Sequence, residues 1–138
     1  MKKRTVLFVD DEEHILNFFK NSLLDEPYEL LFANGGQQAL EILKQQDVHV
    51  IVADVRMPEM SGFELLRIVK KDYPHIVRIA LSAYTHVETL LTAVNEIEIF
   101  KFLAKSDNLM EQLMPAVMEA LDYYDAYCEN EVTMEKME

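Results

Sequence analysis

Two acidic stretches in this 138-residue chain stand where an apolar run stops: Asp10-Asp11-Glu12 after Val6 to Val9, and Asp54 after Val48 to Ala53. Two similar stops follow, at Ser82-Ala83 and at Lys105, just past the run Ile99 to Leu103. Carboxylates gathered at one point repel each other unless a cation neutralises them. A hard divalent ion with oxygen ligands and retained waters is the physical solution, and magnesium suits it. A carboxylate held there can attack a phosphoryl donor and become an aspartyl phosphate, in a reaction that rests on positioning and charge neutralisation. A lysine supplies a mobile point charge for phosphoryl oxygens, and a serine hydroxyl donates a hydrogen bond to one.

Each residue also has a plain structural reading. The acids from Asp10 to Glu13 suit the first turn of a helix. Asp54 suits a turn before Pro58, Ser82 a loop, and Lys105 a solvated surface. The chemical reading therefore depends on elements that bring four distant stretches together.

Those elements are legible as an alternation. Val6 to Val9, Leu30 to Ala33, Val48 to Ala53, Val77 to Leu81 and Ile99 to Leu103 read as strands, apolar on both faces as parallel strands between helices are. Between them lie stretches of helical period: Ile15, Phe18, Phe19 and Leu23; Ala39, Leu40 and Leu43; Phe63, Leu66 and Val69, after the turn signal Pro58 to Gly62. Val87, Leu90, Leu91 and Val94 suggest a fourth helix, and Leu109, Leu113, Val117, Leu121 and Tyr124 a long fifth. The pattern predicts an α/β fold, a flavodoxin-like (βα)5 parallel sheet of order 2-1-3-4-5 with helices on both faces. In that order strands one and three are neighbours where the order reverses, so Asp10, Asp11 and Asp54 converge beyond their carboxyl ends.

Composition narrows the rest. Thirteen basic against 25 acidic residues leave a formal net charge of −12, so direct nucleic-acid binding is not expected. A single cysteine, Cys128, allows neither an internal disulfide nor a cysteine-based zinc cluster. Lys2, Lys3 and Arg4 precede an apolar run too short for a signal peptide, and no stretch has the length of a membrane span. The expectation is a cytoplasmic single domain over residues 1–127, with 128–138 a charged tail or the start of a linker. His14, His49, His75 and His86 lack metal-site spacing and read as surface or packing residues.

Val6-Leu7-Phe8-Val9-Asp10-Asp11-Glu12 resembles the first strand and acid pair of bacterial response-regulator receiver domains, and Asp54-Val55-Arg56-Met57-Pro58-Glu59-Met60-Ser61-Gly62 resembles their phosphoacceptor segment. Ser82-Ala83 and Lys105 are similar to the hydroxyl-plus-small pair and the lysine after strands four and five. The resemblance runs from Thr5 to Leu121. Arg78 to Thr85, with Phe100 to Leu103, is most similar to receivers attached to phosphodiesterase or other output domains.

The resemblance implies phosphorylation at Asp54 by a sensor histidine kinase or phosphotransfer protein. It implies magnesium on Asp10, Asp11, Asp54 and the Arg56 carbonyl, with Ser82 and Phe102 as switch residues. It also implies a reshaped surface of the fourth helix, fifth strand and fifth helix, through which a homodimer could form. Arg56, Met57 and Tyr84 stand where receivers modulate the lifetime of the phosphoryl group. One departure is Ser106, where the family has proline after a cis peptide. A cis bond before a non-proline residue costs about 3–4 kcal/mol, so Lys105–Ser106 is predicted trans, with Lys105 reaching the phosphoryl group differently or less well. The competing functions are a degenerate receiver that binds proteins without phosphate, and a phosphatase using Asp54 as nucleophile. The phosphatase reading wants a second acid where Arg56 stands. Three glycines (Gly35, Gly36, Gly62) draw neither a dinucleotide nor a Walker loop.

Overall fold

The computed structural model describes residues 3–83 and 95–137, the last ten as backbone alone. Its elements are β1 (Thr5–Val9), α1 (Glu13–Ser22), β2 (Glu29–Ala33), α2 (Gly36–Gln45), β3 (Val50–Asp54), α3 (Gly62–Asp72), β4 (Val77–Ser82), β5 (Lys101–Ala104) and a C-terminal helix (Leu109–Met137). The expected fourth helix (Val87, Leu90, Leu91, Val94) lies outside the described residues, as do Tyr84 and His86; residues 95–97 are helical. All strand pairings are parallel, in the order β2-β1-β3-β4-β5. The expected flavodoxin-like sheet is thus observed.

Strand alternation sorts the core into two layers. Val6, Phe8, Val50, Val52, Ile79 and Leu81 pack with α1 and the C-terminal helix. Leu7, Val9, Ile51, Ala53 and Ala80 pack with α2 and α3 on the other face. Every residue of β1, β3 and β4 is buried, which is why these strands read as unbroken apolar runs. The edge strands β2 and β5 are partly exposed and each opens with a charge, Glu29 and Lys101.

The first helix differs from its predicted face. Leu16, Phe19 and Leu23, spaced three and four apart, enter the core, Ile15 is half-buried and Phe18 is 49% exposed. One position off the stripe rotates a side chain about 100° away from it. In the C-terminal helix Leu109, Leu113, Val117 and Leu121 are buried as predicted, and the helical backbone continues through the charged segment to Met137. Among the described residues no helix is long and apolar enough to cross a membrane.

Between β3 and α3 the chain folds tightly under the end of β3. Val55 N–H donates to Leu81 O (2.9 Å) and Gly62 N–H to Val55 O (3.0 Å). A Cβ on Gly62 would stand 2.0 Å from Asp54 O, so only glycine permits this approach. Met60 N–H closes on Pro58 O (2.8 Å) around Glu59, whose φ is 68°. Ser61 then starts α3, its hydroxyl accepting from Glu64 N–H (3.2 Å).

Candidate functional site

Register brings the acids together. Val9 pairs with Ala53, so the next residues, Asp10 and Asp54, emerge side by side at the carboxyl edge. Asp10 is fully buried, Asp54 is 6% exposed and Asp11 is exposed; one oxygen from each lies within 4.8 Å of the others. Asp10 Oδ1 accepts from Glu12 N–H (3.0 Å), and Asp54 Oδ1 from Arg56 N–H (3.4 Å). The backbone that follows each acid thus orients it.

Lys105 closes the site from the far side of the sheet. Its Nζ lies 2.7 Å from Asp10 Oδ2 and 3.1 Å from Asp54 Oδ2. Its own N–H donates to Ser82 O (2.8 Å), which ties the ends of β4 and β5. The Lys105–Ser106 peptide is trans, since the described residues contain no cis bond. With this trans link the ammonium lies against Asp54. Ser82 is buried at the end of β4, opposite Ala104. Phe102 is half-buried on β5, its ring centroid 6.3 Å from that of Phe63. Met57 packs partly buried against the α2–α3 layer, whereas the Arg56 side chain is exposed.

Burial raises the Asp54 carboxyl above the usual aspartate range. Lys105 opposes the rise, Asp10 adds to it, and the Arg56 N–H opposes it again. For Lys105, burial alone would lower the ammonium. The hydrogen bond and charge of Asp10, and then the charge and hydrogen bond of Asp54, outweigh burial and hold it above its ordinary value. Lys105 therefore stays charged, a partial counter-ion for two carboxylates. Three hard oxygen donors within one ion's reach, two of them buried, fit a divalent cation of the magnesium type.

Two contributors went unnoticed in the sequence. Gly62 was given no role of its own there, yet it packs directly beneath Asp54. Arg78, a charge inside an apolar strand, is 7% exposed and donates to Ile97 O (3.1 Å), Ile76 O (3.0 Å) and Glu98 O (3.3 Å). It fixes the chain entering β5, and a lone arginine in a buried strand was the signal for it.

Known proteins are similar to this chain in sequence and fold. The family model of the response regulator receiver domain matches residues 6–117. The hydrogenase transcriptional regulatory protein HoxA of Cupriavidus necator is 37% identical over 119 residues, covering 84% of this chain and 24% of that protein. The transcriptional regulatory protein GlrR of Escherichia coli is 29% identical, covering 86% and 29%. The chain thus spans about a quarter of the length of these curated relatives. Among solved structures, the signal receiver domain of an HD domain-containing protein from Pseudomonas fluorescens superposes with a TM-score of 0.84 at 31% identity, covering 91% of this chain and 99% of that one. The response regulator protein TrrA from Thermotoga maritima, in complex with Mg2+ and BeF, gives 0.76 at 29% identity, covering 86% and 99%. With the five-stranded fold and the acid edge in place, these matches settle the family: the chain belongs to the receiver domains of two-component response regulators.

Proposed function

We propose that Asp54 accepts a phosphoryl group from a histidine of a sensor kinase or phosphotransfer protein, making the domain a phosphorylation-dependent switch. The observation that carries this reading is the convergence of Asp10, Asp11 and Asp54 with Lys105 at one sheet edge. In the transfer an Asp54 oxygen bonds to phosphorus, and the histidine nitrogen leaves with the electron pair of the broken P–N bond. Magnesium, held by the three carboxylates and the Arg56 carbonyl, supplies charge neutralisation when bound. Lys105 steadies Asp54 before transfer and a phosphoryl oxygen after it. Ser82 donates its hydroxyl hydrogen to another, and Phe102 follows Ser82 inward.

The new dianion shifts the population of the surface formed by the expected fourth helix, β5 and the C-terminal helix, where an output partner or a second copy would bind. Arg56 and Tyr84 shield the acyl phosphate from water and prolong its lifetime, with Met57 a further modulator. The domain so proposed covers residues 1–127, with 128–138 a charged tail or the start of a linker, in the cytoplasm and without direct contact to nucleic acid or membrane.

Incubation with magnesium and beryllofluoride, or a small phosphodonor, tests this. Mass spectrometry and fluorine resonance should detect one adduct on the wild type and none on Asp54→Ala. An adduct that persists in Asp54→Ala rejects the assignment. Failure of the wild type to form any points to a protein-binding module, and steady turnover of small phosphoesters to a phosphatase.

A further inference from the structure

At the opposite end of the sheet, where strands begin, a second set of contacts surrounds His49, the residue immediately before β3. Its backbone N–H donates to Thr5 O (2.9 Å), and its Nδ1 accepts the Thr5 N–H (2.9 Å). The imidazole thus provides the acceptor for the first N–H of β1. The same ring stands edge-on to Tyr124 of the C-terminal helix, with centroids 4.8 Å apart at 81°. Arg4, next to Thr5, is paired with Asp125, next to Tyr124. Two strands and a helix therefore meet at one side chain.

Only the neutral ring with its hydrogen on Nε2 fits this position, because a protonated Nδ1 would set a donor against a donor. Burial holds His49 below the ordinary histidine value of 6.5. The charge of Arg4, ahead of β1, acts in the same direction, while Asp47 before β3 and Asp125 on the helix oppose it. Asp72 and Tyr73 at the end of α3, and His75 before β4, line the same groove. The location gives the contact its consequence. Leu121 is the last buried residue of the C-terminal helix among those with described side chains. Beyond it the helix is held through Tyr124 and Asp125, through Tyr123 against Phe100 (5.3 Å) and through Tyr127 against His75 (5.3 Å).

We propose that His49 is the bolt of an acid-released latch, which seats the C-terminal helix beyond Leu121 on β1 and β3 while neutral and releases it when protonated. The sign follows from the geometry. Because the folded state favours the neutral ring, the latch is fully closed above pH 6.5 and loses strength as pH falls below that value. The device works without phosphoryl transfer, at the end of the sheet away from Asp54.

Amide hydrogen exchange on the full chain tests it, at about one pH unit either side of the ordinary histidine value and corrected for intrinsic rates. Protection across residues 122–127 should fall several-fold on acidification, while residues 109–121 keep theirs. His49→Gln retains a side-chain acceptor without a titration and should abolish the fall, whereas His75→Gln should preserve it. Unchanged protection in the wild type, an equal fall in His49→Gln, or loss of the effect in His75→Gln alone would overturn the proposal. Should His49→Gln not fold, proton resonance of the wild type decides. A His49 ring titrating below 6.5 together with Tyr124 supports the latch, and one titrating at or above the ordinary value with Tyr124 unmoved rejects it.

Discussion

Lys105 touches two carboxylates at once, and neither contact was available from sequence spacing. What could be read was that Asp10, Asp54, Ser82 and Lys105 each follow an apolar run, which places them on one edge once the strands are parallel. Side-chain reach was not readable. The trans peptide before Ser106 could be read in advance, but not that Lys105 would lie between the two acids. Tyr28 escaped notice for the opposite reason, since nothing local marks an aromatic residue as buried with its hydroxyl unpartnered among the described residues. Burial, and then the charge of Glu26, raise this phenol from 10.0 to about 12. A raised acid contributes stability that is complete below pH 10 and lost as pH climbs toward 12. That loss amounts to roughly 2–3 kcal/mol. Tyr28→Phe should remove this alkaline sensitivity and add about 1 kcal/mol at neutral pH, because a buried unpaired hydroxyl carries a desolvation cost. Urea titrations at neutral and alkaline pH would check both; a variant less stable than wild type at neutral pH would contradict the assignment.

Between residues and the whole lie the elements, whose number and order in the described chain were legible because β1, β3 and β4 are buried on both faces. Their phase was less so. Phe18 shares the apolar character of the α1 stripe but not its position, and only packing against Phe8 through Phe19 (ring centroids 5.1 Å) selects the stripe. The β3–α3 connection shows how an element end can govern the site. Because a Cβ at Gly62 would collide with the Asp54 carbonyl, Gly62→Ala must push the loop away from β3. The expected cost is about 1–3 kcal/mol, read as a lower denaturation midpoint. It should come with weaker magnesium binding, because the displaced loop carries Arg56, whose N–H orients Asp54. Unchanged magnesium affinity in a folded Gly62→Ala would show that the loop does not position the acid.

The whole molecule carries a formal charge of −12, and two of its acids are buried at one point. Relief of that repulsion makes a specific divalent ion bound there a stabiliser of the fold. Saturating magnesium, at about 100 times its dissociation constant, should stabilise the wild type by about 2.7 kcal/mol. For a domain of this size that corresponds to a rise of roughly 10 °C in Tm. Sodium chloride at equal ionic strength should give far less, and Asp11→Ala should lose most of the specific rise. An equal rise with sodium in calorimetry would mean general screening and no ion site.

The contact from Lys105 to Asp10 joins residues 95 positions apart in a chain of 138. It has a bearing on how the protein is made. Parallel strands pair only after long crossovers close, and a ribosome delivers β1 long before β5. Until the fifth strand emerges and docks, Asp10 and Asp54 have no ammonium to share, and the nascent chain lacks the pocket it will later use. On the proposed function, the ability to accept a phosphoryl group therefore waits for β5, and a product truncated before Lys105 lacks it.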